Sequence, residues 1–129
     1  MKTAVTCSAL LGLLLFALGL YVSTKRGRTQ QIGTTPQNPA DPLFKAIRAH
    51  GNTAEYVPML AVLMLYLGTR SPAVWVLWLM VIVTACRYLI VVGIIMSPTL
   101  DQPHPLRFIG ALGTYIGGAA LSIIALVNA

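Results

Sequence analysis

Long apolar runs separated by short polar segments organise this chain, and their lengths suit membrane-crossing helices. The first run, "AVTCSALLGLLLFALGLYVS" from Ala4 to Ser23, has 20 residues, matching the ~20 that a helix needs to cross a hydrocarbon core ~30 Å thick. Lys2 in front of it imitates the basic start of a signal peptide. However, the run is long, lacks a small-x-small cleavage site and is followed by "TKRGR" in the manner of a stop-transfer segment, so a retained helix is expected. A polar loop with three prolines, Thr24 to Pro42, comes next. Asp41 and Pro42 predict a helix start, with Asp as N-cap and Pro at the first helical position. "GTRSP" (Gly68–Pro72) is a tight connection in which Ser71 and Pro72 suit the cap of a third helix. The expected spans are 4–23, 44–67, 73–96 and 106–127. Together they make one domain over residues 1–129, an all-α membrane protein with the fold of a four-transmembrane-helix bundle, without internal repeats.

The second span does not fit the pattern. Its purely apolar part, Tyr56 to Leu67, has 12 residues, or ~18 Å of helix. To cross the bilayer it must carry most of "RAHGNTAE", Arg48 to Glu55, into the membrane or its boundary. Ionisable groups are costly there and usually face a bundle interior or a cavity, where they mark function.

Composition supports the membrane class. Of 129 residues 57% are hydrophobic and 9% charged, against about a quarter charged in soluble domains. The net charge of +6 is spread over few basic residues with no long tract, which argues against nucleic acid as a partner. It reads better as topology. Lys25, Arg26, Arg28, Lys45 and Arg48 cluster around the first loop, whereas the second holds only Arg70. The positive-inside bias then places the first and third loops in the cytoplasm and both termini outside. Cys7 and Cys86 lie in apolar runs without metal-like spacing, as buried thiols acting as small hydrophobes do; no metal is expected. Gly110, Thr114, Gly118 and Ser122 recur every four residues along the fourth span, and Gly113 and Gly117 add a GxxxG pair. Such small faces let helices approach closely in lipid, and packing alone accounts for them.

At 100° per residue, Arg48, Asn52 and Glu55 share one stripe of the second helix, bordered by Tyr56, while His50 points nearly the other way. Pro58 removes a backbone donor, leaves the Ala54 carbonyl without its usual partner and predicts a kink beside Glu55. The third helix runs antiparallel to the second. Arg87, nine residues from Met96, and Glu55, eleven from Phe44, can share a depth roughly 14–17 Å from the same end. Arg26 after the first span and Arg107 in the first turn of the fourth lie on that side too. Taken alone, Arg26 and Arg107 read as anchors that snorkel to lipid phosphates. One glutamate cannot neutralise both Arg48 and Arg87, so the stripe implies a cavity or an anionic ligand. Cations around one carboxylate suit a small molecule with several carboxylates and one ammonium group. Glutathione fits, as do other anions. His50 reads as a packing or supporting group rather than a base.

The segment "RAHGNTAEYVP" resembles the second-helix signature of the MAPEG family, membrane-associated proteins in eicosanoid and glutathione metabolism. The similarity extends to "STKRGR" after the first span, "CRYLIVVG" in the third and "PLRFIGALGTY" opening the fourth, and it is greatest to short bacterial members. This resemblance implies a homotrimer in a bacterial inner membrane, with glutathione bound as co-substrate between neighbouring subunits near the cytoplasmic side. By position, Arg48, Asn52, Glu55 and Tyr56 would hold glutathione's backbone groups, Arg26 and Arg87 would complete the grip on its carboxylates, and Arg107 would stabilise its thiolate as the catalytic group. His50 and Tyr88 would support the site from behind. The second substrate would be a hydrophobic, lipid-soluble electrophile or lipid hydroperoxide. Two positions depart from the family's pattern. Eicosanoid-making members carry a His or Tyr where this chain has Ile90, and some carry a Tyr where it has Ala111. A leukotriene or prostaglandin synthase is therefore not expected, and a general glutathione transferase or peroxidase is. Two other classes stand beside it: a non-enzymatic relative with a structural role, and a small cation/proton antiporter. The antiporter reading suffers because those proteins place their glutamate in the first helix, which here has no acid.

Overall fold

The computed structural model describes residues 1–128, which form four α-helices: α1 (Lys2–Thr29), α2 (Pro42–Thr69), α3 (Val74–Met96) and α4 (Pro105–Val127). Among the described residues, α1, α3 and α4 are long and apolar enough to cross a membrane. α2 has 28 residues, like α1, about 42 Å at the helical rise, but its first half carries the polar stripe.

Hydropathy marks only the part of a helix that lies in lipid, so α1 outruns the apolar segment by six residues, 24–29. Lysine and arginine are good helix formers and favour the negative end of the helix dipole, which lets "TKRGRT" continue the helix. It ends at Gln30 in the left-handed conformation (φ 54°). Asp41 caps α2: its Oδ1 accepts from Leu43 N at 2.7 Å and Phe44 N at 3.3 Å. α2 then runs through Pro58 as one helical segment. The cap expected from Ser71 does not form. Ser71 adopts φ 50° to reverse the chain, and α3 begins after Ala73 with no side-chain cap. With only four residues between α2 and α3, Ser71 serves the turn.

α1 packs chiefly on α2 and α4 chiefly on α3; α2 touches all three partners, while α1 and α4 do not meet among the described residues. Two links tie the α1–α2 side to the α3–α4 loop at one end: Leu100 N donates to Pro39 O at 3.2 Å, and Lys45 Nζ to Ser97 O at 3.1 Å. We call this the basic end. At the opposite end, Tyr66 Oη donates to Asn128 O at 3.1 Å.

The α3–α4 interface is close because it is built from glycine. A methyl placed on Gly113 would collide with Cys86 Sγ, and one on Gly117 with the Val83 side chain. A core of Leu11, Met64, Met80, Val83 and Leu121 fills the middle and opposite end, and Leu18, Ala49, Ile90 and Ile94 fill the region toward the basic end. Outward positions remain apolar: Phe16 is 78% exposed and Trp78 63%. On a water-facing surface such a belt would be unfavourable; around an integral membrane protein it is the lipid-contacting face.

Candidate functional site

α2 and α4 start at the same end and run the same way. Asp41 fixes the start of α2, and two turns later Arg48 and Asn52 present their side chains toward α4. Arg107 comes from the first turn of α4, and Gly93 on α3 lets it come close. A methyl on Gly93 would stand 2.8 Å from Arg107 N and 2.9 Å from its Cγ. Arg48, Asn52, Ile90, Ile94, Leu100, Arg107 and Ala111 line a cleft of about 200 Å³. Its polar walls are two guanidinium groups and one amide. Arg107 is held by the α3–α4 loop, its NH1 donating to Leu100 O at 3.2 Å and Gln102 O at 3.0 Å.

Arg87 lies behind this wall rather than in it. It is fully buried (0% exposed), and its NH2 donates to Asn52 O at 2.9 Å and to Asn52 Oδ1 at 2.8 Å. Its Cζ stands 5.1 Å from the centre of the Tyr56 ring, a cation–π contact. Its Nε is buried and has no hydrogen-bond partner among the described residues. The shared depth read from residue counts is met by Asn52 and Tyr56, one turn apart.

Further from the basic end the same α2–α4 seam becomes apolar. Glu55, Tyr56, Met59, Leu60 and Leu63 on α2 face Thr114, Tyr115, Gly118, Ala119 and Ser122 on α4 around a groove of about 380 Å³. Tyr56 and Tyr115 meet at its head, ring centres 5.7 Å apart and planes at 50°. Thr114 and Ser122 donate to carbonyls of their own helix, Gly110 O at 2.8 Å and Gly118 O at 2.9 Å. The polar groups left at the head of the groove are the Glu55 carboxylate and the two phenols.

The six residues assigned to binding and the one assigned to catalysis are therefore distributed. Arg48, Asn52 and Arg107 share the cleft; Glu55 and Tyr56 open the adjoining groove; Arg87 underlies both. Arg26 is elsewhere, donating from NH1 to Gln31 O at 3.3 Å and Thr34 O at 2.8 Å, where it pins the α1–α2 loop. His50 packs against α1, its Nε2 3.4 Å from where a Gly19 methyl would stand. Tyr88 also turns toward α1, its hydroxyl donating to Leu10 O at 2.8 Å. Neither lines the cleft. Among the described residues no group of three or more His, Cys, Asp or Glu could hold a metal ion.

The MAPEG family profile matches residues 4–127 of the 129-residue chain. The chain belongs to the MAPEG family. No curated protein matches it. As a MAPEG protein it is an integral membrane helical bundle of a family concerned with glutathione and eicosanoids. Ile90 and Ala111, the two positions read as departures from the family's pattern, are both wall residues of the cleft and make that part of its wall apolar.

The pattern of residues does not bring out Tyr115 or the groove. A signal was present. Tyr56 follows Arg48 by eight residues and Tyr115 follows Arg107 by eight. On two helices running the same way, equal offsets place the tyrosines level, just as the arginines are.

Proposed function

We propose that this MAPEG protein is a glutathione-dependent membrane enzyme, a transferase or peroxidase acting on hydrophobic electrophiles or lipid hydroperoxides. The observation that supports this best is the change of character along one seam. A cleft walled by Arg48, Asn52 and Arg107 is followed, further along the same two helices, by an apolar groove headed by Glu55 and the Tyr56–Tyr115 pair. The first part suits a polyanionic thiol, the second a lipid-soluble reactant.

In this reading Arg48 and the Asn52 amide bind carboxylate and amide groups of glutathione, and Glu55 receives its ammonium group. Guanidinium forks suit carboxylates because both can bond in parallel. Arg26 lies outside the cleft of its own subunit, and a homotrimer with glutathione between neighbours gives it a route to the ligand from the next subunit. The basic end faces the cytoplasm, where the positive-inside bias places it.

A free thiol ionises near pKa ~8.5, and an adjacent cation lowers that value and raises the thiolate fraction. Arg107 is the cation assigned to this task. The thiolate then attacks an electrophilic carbon in the groove, forming a C–S bond as the leaving group departs with its electron pair. With a hydroperoxide it attacks the terminal oxygen. The O–O bond breaks, the alkoxide takes a proton to become an alcohol, and a second glutathione converts the sulfenic acid to disulfide and water.

Titrating glutathione into detergent-purified protein tests the reading. Wild type should bind at millimolar concentration or below. Glu55→Gln removes a charged hydrogen-bond partner worth ~1.5–3 kcal/mol, so affinity should fall roughly 10- to 150-fold. Wild type that does not bind at millimolar glutathione sinks the proposal. A second reading, a MAPEG protein that binds without turnover, is favoured by one observation: Arg107 NH1 is already engaged by two loop carbonyls. Conjugation of a chloro-nitrobenzene separates the two, since a binder leaves that acceptor unchanged.

A further inference from the structure

The buried arginine of α3 makes a contact that the proposed chemistry does not use. Arg87 sends both of its hydrogen bonds to Asn52, one to the backbone oxygen and one to the side-chain oxygen, at 2.9 and 2.8 Å. A guanidinium group has donors and no acceptor. Whatever faces it on the Asn52 amide must therefore be Oδ1, so the choice between the two amide orientations is made by chemistry. The Nδ2 donors are then the part of the amide left for the cleft, which Asn52 helps to line. Arg48 and Arg107, the other polar residues of that wall, also offer only donors.

We propose that Arg87 is a positioning residue: by gripping Asn52 Oδ1 from behind, it turns the amide so that the cleft presents hydrogen-bond donors alone, and this sets its selectivity for a carboxylate over a neutral isostere. This rests on the glutathione reading and deepens it, by naming the feature of the ligand that the cleft selects. An unlocked asparagine rotates its oxygen into the cleft at little cost, and that oxygen repels a carboxylate while accepting from an amide. Arg87 can do this work because it is out of the ligand's reach, with 0% of its surface exposed. The second attachment, to the Asn52 backbone, fixes the pivot about which the side chain would turn.

The test compares glutathione with its glycine-carboxylate amide in the detergent-purified full chain, for wild type, Arg87→Met, Asn52→Ala and the double variant. Wild type should prefer the acid at least tenfold. Arg87→Met should lose most of that preference, and in the Asn52→Ala background it should change nothing further, because a residue acting through Asn52 has no effect once Asn52 is gone. A further loss in that background means that Arg87 acts through Tyr56 or through its charge, and overturns the proposal. So does an unchanged preference in Arg87→Met. Asn52→Asp keeps Arg87 paired and the fold supported while placing an acceptor in the cleft, and should bind glutathione roughly 100-fold more weakly; retained affinity is equally fatal. A ligand-free measurement separates this from the glutathione reading. With ¹⁵N-labelled asparagine, the Asn52 side-chain amide should be rigid in wild type and mobile in Arg87→Met. Rigid in both overturns the lock. Wild type with a rigid amide and no affinity for glutathione overturns the choice of ligand instead.

Discussion

Replacing Gly110 by alanine should separate α3 from α4 by a calculable amount. A methyl at that position would stand 2.7 Å from Ile90 N, 2.8 Å from Cys86 O and 2.8 Å from Ile90 Cβ. Ordinary contact begins near 3.4 Å, so α4 must retreat by roughly 0.7 Å, the difference between 3.4 and 2.7 Å. Two of the three atoms belong to the α3 backbone, which cannot rotate away as a flexible side chain would. Forced overpacking of this kind typically costs ~1–3 kcal/mol. Alanine also favours the helix over glycine by up to ~1 kcal/mol, which would mask part of the loss. Gly118→Ala supplies the correction, since its methyl meets Leu60 Cδ2 at an ordinary 3.6 Å and carries the same propensity gain. Denaturation with sodium dodecyl sulfate in mixed micelles, followed by circular dichroism, should show Gly110→Ala less stable than Gly118→Ala by ~1–3 kcal/mol. Equal stability of the two variants would refute the reasoning, because it would mean that the helices are not held together by the absent side chain.

Two further outcomes follow from other parts of the bundle. Asp41→Ala leaves Leu43 N and Phe44 N without the acceptor they now share, and the same denaturation should register a loss of ~0.5–2 kcal/mol that Asp41→Asn largely avoids. Arg107→Ala should lower conjugation of a chloro-nitrobenzene while glutathione affinity changes only a few-fold. Removing the cation raises the thiol pKa, so the rate profile should move to higher pH, and the rate at neutral pH should fall about tenfold for each pH unit that the profile moves. A full rate with an unmoved profile would show that Arg107 does not serve the thiolate.

α1, α3 and α4 are legible in the sequence because lipid imposes long apolar runs on such segments, and α2 is legible from its shorter apolar run and the Asp41–Pro42 start. The end of α1 is not, since residues 24–29 continue the helix outside the hydrocarbon, where hydropathy carries no signal. The polar stripe of α2 is legible as spacing alone: Arg48 and Asn52, four apart, do share a cleft. Glu55 lies on the same stripe but ~10 Å further along the axis than Arg48, which is enough to place it at the neighbouring groove. What faces Arg87 depends on how α3 is rotated about its own axis. Residue counts give its depth, and packing on Gly110, Gly113 and Gly117 gives the rotation. Tyr115 escapes a reading of charges because it sits in a run of small and aliphatic residues, and only the parallel course of α2 and α4 makes it a neighbour of Tyr56.

The α2–α4 groove has an open flank, where Met59 and Tyr115 are 62% and 53% exposed. A molecule dissolved among acyl chains could slip in sideways, without ever being extracted into water. If the proposed enzyme draws its second reactant this way, turnover would track how crowded the bilayer is with that molecule, and adding inert lipid would slow the protein even while total reactant and protein stayed constant.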